Sequence, residues 1–110
     1  MKVLKKGHRY LLNGLKGGEP TVLQFYQDPK IHQEGADGPS TQEVLRACIE
    51  RVQSLDEEEP WSGNSEIIFH LRSALIGFEK RALERMVEKG FAIEKIATNS
   101  RGHMFKEEEN

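Results

Sequence analysis

A continuous helical periodicity over residues 65–89 constrains this chain more than any other feature of its sequence. Apolar side chains recur every three or four residues in this segment, at Ile67, Ile68, Leu71, Leu75, Phe78, Ala82 and Met86. This spacing predicts an amphipathic helix of about 25 residues, roughly 38 Å long at 1.5 Å per residue. Gly90 directly follows it as a stop signal. A chain of 110 residues has room for one core, so we expect a single domain over residues 1–110.

A second helix is predicted over residues 40–56. Ser40 and Glu43 have the spacing of a capping box at its start. An apolar stripe follows at helical spacing, formed by Val44, Leu45, Cys48, Ile49, Val52 and Leu55. We expect Cys48 to be a small core hydrophobe in this stripe. Since only a short acidic segment and Pro60 separate the two helices, residues 40–90 should form an antiparallel helical hairpin.

The first third of the chain is typical of β-structure. The runs Val3–Leu12 and Thr21–Gln27 contain aromatic and β-branched side chains, and the turn-rich residues 13–20 lie between them. We expect an antiparallel hairpin or small sheet there, followed by a loop over residues 28–39. Residues 91–96 could form a further strand, and residues 106–110 an acidic tail within the extension 91–110. The predicted fold class is therefore α+β, with a β portion over residues 1–39 and the hairpin over 40–90.

The charge of the chain is uneven along its length. Sixteen basic and eighteen acidic side chains give a net charge of −2, which argues against a globally basic nucleic-acid binder. Residues 1–30 carry +4, residues 31–66 carry −7 and residues 67–105 carry +3. This alternation favours self-association or the binding of a small anion in a local pocket.

The expected compartment is the cytoplasm. A single cysteine cannot form an internal disulfide or a thiolate zinc cluster. Residues 1–18 contain no long apolar run, so we expect neither a signal peptide nor a membrane span.

Motifs for catalysis or metal binding are missing from the sequence. It contains no HExxH, P-loop, GxGxxG or GxSxG pattern, and its four histidines have no metal-ligand spacing. No nucleophile is paired with a base. We therefore expect no catalytic residue, no metal site and no cofactor, and an enzyme is the least favoured class.

Two arginines near the end of the long helix are the first candidates for binding. Arg81 and Arg85 are four residues apart, so they share a helix face. They either compensate the helix dipole and pair with Glu84 or Glu88, or they form a two-guanidinium clamp for phosphate.

Three further residues at the hairpin have both an ordinary and a functional interpretation. Gly77 costs about 1 kcal/mol relative to alanine inside a helix, and such a glycine often marks the close approach of another backbone or a ligand. Trp61 precedes the long helix and is more often a hydrophobic staple than a stacking surface. Asn64 is more often a helix cap than a ligand contact.

Taken together, these segments resemble the helical hairpin shared by two phage anti-defence families. The runs GPSTQEVLRACIERVQSL, EEPWSGNSEIIFHLRSAL and FEKRALERMVEKG carry the resemblance to the Thoeris anti-defence one family and the second anti-CBASS protein family. The runs HRYLLNG and TVLQFYQ resemble the β portion of the former. The most specific motifs lie at Gly38–Leu45, Pro60–Glu66 and Glu79–Arg85. The chain departs at Trp61-Ser62-Gly63, where the family pattern has cysteine and a charged pair, and in its longer extension after residue 90.

The resemblance implies a protein that binds glycocyclic ADP-ribose, the signal of Thoeris defence, without cleaving it. Some relatives also sequester cyclic oligonucleotides, and relatives assemble as dimers or dimer-based hexamers in the host bacterial cytoplasm. By motif position, the expected ligand-binding residues are Asn64, Arg81 and Arg85, with Phe25 and Arg51 as less secure matches.

Helix geometry restricts how such residues could act together. Asn64 and Arg81 are seventeen residues apart on one predicted helix, or about 26 Å along its axis. One nucleotide cannot touch both in one chain, so a shared pocket requires two chains packed antiparallel. The alternative function is a helical interaction or regulatory protein that binds a partner protein or DNA. The acidic run at Asp56–Glu59 argues against DNA because it would repel phosphate.

Overall fold

The computed structural model of the protein describes residues 1–28, 37–90, 96–98 and 104–106. Three antiparallel strands come first, and two helices follow, so the predicted α+β fold is confirmed. The chain divides into two compact units, Met1–Thr41 and Gln42–Asn110. Their boundary falls two residues after the predicted end of the β portion at residue 39.

The first unit is a three-stranded meander. Strands β1 (Lys2–Lys5), β2 (Arg9–Leu12) and β3 (Thr21–Gln24) pair in that order, with Tyr10 opposite Val3 on one side and Leu23 on the other. The prediction of one continuous run over Val3–Leu12 was wrong. A turn breaks the run at Gly7, whose φ of +74° lies in the left-handed region that favours glycine.

His8 connects this turn to the chain that leaves β3. Its imidazole is fully buried, at 1% exposure. The backbone N–H of His8 donates to the Lys5 carbonyl at 3.0 Å, and its carbonyl accepts from the Phe25 N–H at 2.8 Å. The ring of Phe25 meets the Tyr10 ring edge-on, with centroids 6.0 Å apart. These contacts hold residue 25 against the sheet.

Residues 37–39 return to the end of β3. The Tyr26 N–H donates to the Pro39 carbonyl at 3.1 Å, and the Gln24 side-chain amide donates to the Asp37 carbonyl at 2.8 Å. A Cβ on Gly38 would lie 2.4 Å from the Gln24 carbonyl oxygen, so this approach requires glycine. The remainder of the predicted loop, residues 29–36, lies outside the described residues.

The second unit contains the predicted antiparallel helical hairpin. Helix α1 spans Thr41–Glu58 and helix α2 spans Asn64–Glu88, in close agreement with the predicted boundaries. Arg46, near the start of α1, forms an ion pair with Glu79, in the second half of α2. This contact fixes the antiparallel direction of the two helices.

The apolar stripe of α1 is narrower than predicted. Ile49 is buried, at 8% exposure, but Cys48 is exposed, so its assignment to the core was wrong. Successive residues are about 100° apart around a helix. Because the side chain of Ile49 faces the core, that of the preceding residue, Cys48, faces solvent. Leu55, at the end of the stripe, is 41% exposed.

Helix α2 ends as predicted, and a short hairpin follows. Gly90 has a φ of +87°, and its N–H donates to the Val87 carbonyl at 2.9 Å. Strand β4 (Ile96–Thr98) pairs antiparallel with β5 (Met104–Lys106), and β5 lies close to α2. Of the strand predicted over 91–96, residues 91–95 lie outside the described residues. Lys106, assigned to the acidic tail, belongs to β5, and residues 107–110 also lie outside the described part.

Candidate functional site

The segment that joins the two helices, residues 56–64, is here called the hairpin tip. It is organised around the carboxylate of Asp56. One oxygen of Asp56 accepts a hydrogen bond from the Trp61 backbone N–H at 3.1 Å and from the Asn64 side-chain amide at 2.8 Å. The Asn64 backbone N–H donates to the Trp61 carbonyl at 3.0 Å. The bond from Asn64, and then that from Trp61, lowers the pKa of the Asp56 carboxyl because both stabilise its charged form.

Asn64 is not the helix cap that its position in the sequence indicated. The N-cap of α2 is Gly63, and Asn64 is the first residue of the helix. Its side chain reaches back eight residues to Asp56 and thereby holds the end of α1 against the start of α2. Local sequence patterns do not predict this hydrogen bond between Asn64 and Asp56.

Trp61 presents a large aromatic surface at the hairpin tip. Its side chain is 61% exposed. The indole lies against Gly63, since a Cβ on that glycine would come within 2.2–2.5 Å of three atoms of the six-membered ring. The sequence predicted a hydrophobic staple at Trp61. Gly63, two residues later, was the sequence signal that the ring could pack closely against the backbone.

The hairpin tip is strongly acidic. Helix α1 continues through the acidic run to Glu58, and the side chains of Glu57, Glu58 and Glu59 are all exposed. With Asp56, they place four carboxylates within four consecutive residues. An anion is therefore repelled from this end of the hairpin unless other groups compensate the charge.

The opposite end of α2, here called the basic end, carries Arg81 and Arg85. Both side chains are exposed, and they lie one helical turn apart. Within the described part of the chain, neither guanidinium forms an ion pair with Glu84, Glu88 or any other carboxylate. Their donors are thus available to an anionic ligand. Arginine suits phosphate because its planar group offers two parallel hydrogen bonds.

A shallow apolar groove of about 540 Å³ runs along a different side of α2. It is lined by Gln53 of α1 and by Ser65, Ile68, Phe69, Arg72, Ser73 and Ile76 of α2. Phe69 and Ile76 are 65% and 67% exposed. Arg72 and Arg81 are nine residues apart, about two and a half turns, so the groove and Arg81 lie on opposite sides of the helix.

Within the second unit, Asn64 does not lie near the arginine pair in one copy of the chain. Arg81 and Arg85 are neighbours, but Asn64 lies about 26 Å from Arg81 along α2. Arg51 is exposed on α1. Phe25 belongs to the first unit, where its half-buried ring contacts Tyr10.

Comparison with known proteins identifies no relative. No protein-family model, curated protein or solved structure matches the chain significantly. Among the described residues, no helix is both long and apolar enough to cross a membrane. The same residues contain no group of three or more histidine, cysteine, aspartate or glutamate side chains arranged to hold a metal.

Proposed function

We propose that the protein is a phage anti-defence protein that binds and sequesters immune signals of the cyclic ADP-ribose type without cleaving them. The observation that carries this proposal is the pair of exposed arginines at the basic end, which have no carboxylate partner among the described residues. Two guanidinium groups one turn apart can each bind one phosphate of a pyrophosphate. The motifs around Asn64, Arg81 and Arg85 add the expectation that the ligand is glycocyclic ADP-ribose.

The pocket that we propose is built by two chains. The arginine pair supplies donors for phosphate, and Asn64 is about 26 Å away on the same helix. In an antiparallel pair of α2 helices, the hairpin tip of one copy faces the basic end of the other. This arrangement places negative tips against positive ends, and it produces two equivalent pockets related by two-fold symmetry. The partner of the chain is therefore a second copy, in a dimer or a dimer-based hexamer.

Asn64 contributes an amide to this pocket in a fixed orientation. The bond to Asp56 uses one N–H of the amide, so a second N–H remains on the same nitrogen for a ligand. Phe25 and Arg51 are further proposed contacts, which rest on their motif positions. Cyclic oligonucleotides of CBASS defence are proposed as additional ligands, and the host bacterial cytoplasm as the place where these signals are captured.

An experiment on ligand fate separates a sponge from an enzyme. The protein is titrated with a panel of cyclic ADP-ribose isomers and cyclic di- and trinucleotides, then incubated with each bound compound and denatured. We expect tight binding of a cyclic ADP-ribose isomer and its intact release. Release of an altered product would indicate an enzyme, and no binding across the panel would contradict the proposal.

The second candidate function is a helical interaction protein, and the apolar groove on α2 favours it. Phe69 and Ile76 expose apolar surface that could receive a partner protein. This function predicts that Phe69→Ala and Ile76→Ala weaken the binding of a partner protein, while Arg81→Ala leaves that binding unchanged. The sponge predicts the opposite ranking.

A further inference from the structure

We infer that Trp61 is the surface on which the nucleobase of the bound nucleotide stacks, so that the base lies at the hairpin tip and the phosphates lie at the basic end of the second copy. This inference rests on the proposed function and deepens it. It concerns a residue at which the chain departs from the pattern that it otherwise resembles, and it fixes the orientation of the ligand in the pocket.

The indole of Trp61 is held in place before any ligand arrives. Its backbone N–H donates to Asp56, and its carbonyl accepts from the Asn64 N–H. The ring packs on Gly63, yet 61% of the side chain remains exposed. A ring that is already supported loses little conformational freedom when a base stacks on its open side.

Other exposed aromatic side chains of the hairpin lack these properties. Phe69 is 65% exposed, but it lies in the apolar groove and meets the His70 ring edge-on, at 5.5 Å between centroids. It also lies on a different side of α2 from Arg81. Trp61 instead lies three residues from Asn64, whose amide can hydrogen-bond to the edge of a base.

The charge of the two ends orients the nucleotide. The exposed carboxylates of Glu57, Glu58 and Glu59 repel phosphate from the tip but leave a neutral base free to stack. Arg81 and Arg85 of the second copy attract the phosphates. If Asn64 faces Arg81 of the second copy, Trp61 is offset from this contact only by the turn that joins it to Asn64, whose N–H donates to the Trp61 carbonyl at 3.0 Å. A base and a pyrophosphate of one nucleotide can span this offset.

The fluorescence of the chain reports on this residue alone, because Trp61 is its one tryptophan. We expect cyclic ADP-ribose to quench the emission as it binds, and inorganic pyrophosphate to bind more weakly with no quenching. By calorimetry, Trp61→Leu should weaken binding of cyclic ADP-ribose roughly ten- to a hundredfold. Trp61→Phe should retain most of the affinity. Phe69→Leu is the matched control, and it should bind like the wild type.

The outcomes separate this inference from the proposed function. Wild-type affinity in Trp61→Leu, with circular dichroism unchanged, would overturn the stacking role and leave the sponge intact. Equal losses in Trp61→Leu and Trp61→Phe would also overturn it, since an aromatic ring would then not suffice. If the wild type binds no cyclic nucleotide, the proposed function and the stacking role fall together.

Discussion

The two ends of α2 differ in charge and in how their side chains are held. At the hairpin tip, Asp56 accepts hydrogen bonds from both Trp61 and Asn64, so these two residues are held by a neighbouring side chain. At the basic end, Arg81 and Arg85 are exposed and form no ion pair within the described residues. The tip therefore offers an aromatic ring and an amide in fixed positions, and the basic end offers two arginines that form no ion pair with the described residues.

In the proposed two-copy pocket, each end supplies what the other lacks. The tip has an aromatic ring and an amide, but its carboxylates disfavour phosphate. The basic end has the cations for phosphate. In the proposed dimer, two antiparallel copies place the tip of each against the basic end of the other, which gives two pockets.

Loss of an arginine at the basic end should weaken nucleotide binding strongly. Arg81→Ala should weaken binding of the nucleotide ten- to a hundredfold, because a hydrogen bond to a charged group is worth about 1.5–3 kcal/mol. The free energy of unfolding should stay within about 0.5 kcal/mol of the wild type, since the side chain is exposed.

Arg72→Ala is the matched control for Arg81→Ala. Arg72 is another exposed arginine of α2, but it lies in the groove on the opposite side of the helix. Calorimetric titration of both variants should give a large loss for Arg81 alone. Equal losses would mean that the helix attracts anions by its total charge and that the basic end is not a site.

A smaller effect is expected from the ion pair that joins the helices beside the basic end. Glu79→Gln removes the charge that faces Arg46, and both side chains are 22% exposed. We expect a loss of about 1–2 kcal/mol in the free energy of unfolding, between the values of exposed and buried pairs. Urea denaturation measures it. Glu84→Gln, at an exposed position with no ion pair in the described part, should change stability by less than about 0.5 kcal/mol.

The smallest effect is expected from acid, through the carboxyl of Asp56 at the hairpin tip. The pKa of Asp56 in the folded protein lies below its ordinary value of 3.8, mainly because of the bond from Asn64. Its contribution to stability is therefore complete above that value, and it is lost as the pH falls through the lowered pKa. The emission of Trp61, whose backbone N–H donates to Asp56, should change in this acidic range.

Asp56→Asn tests the assignment of this acid transition. The variant removes the titrating carboxyl at the centre of the tip, so the change in Trp61 emission below about pH 4 should disappear. An identical transition in the variant and the wild type would show that Asp56 does not hold the tryptophan.

Much of the fold follows from local patterns in the sequence. The periodicity from Ile67 to Met86 and the stop at Gly90 predict α2 because helix formation depends on neighbours three and four residues away. The break at Gly7 was missed, although a glycine within a strand-like run is a known signal for a turn. Cys48 was wrongly assigned to the core because the six apolar positions of α1 span a wider face than the part of the helix that is buried.

The candidate site was predictable only in part. The spacing of Arg81 and Arg85 makes them neighbours on any helix, so the sequence sufficed for that pair. The role of Asn64 depends on Asp56 at the end of the preceding helix, and the exposure of Trp61 depends on how the turn folds. Such contacts arise from the path of the chain through the hairpin tip, which no local pattern encodes.

A pocket shared by two copies can be restored by mixing two proteins with different defects. Asn64→Ala and Arg81→Ala are each expected to bind weakly. After unfolding and refolding together, a heterodimer should contain one pocket with both defects and one with neither.

Titration of the mixture beside each parent, with heterodimers verified by mass spectrometry, measures the outcome. We predict that tight sites reappear, at up to half of the pockets in the heterodimers. If heterodimers form and no tight sites appear, each pocket lies within one chain and the two-copy account is wrong.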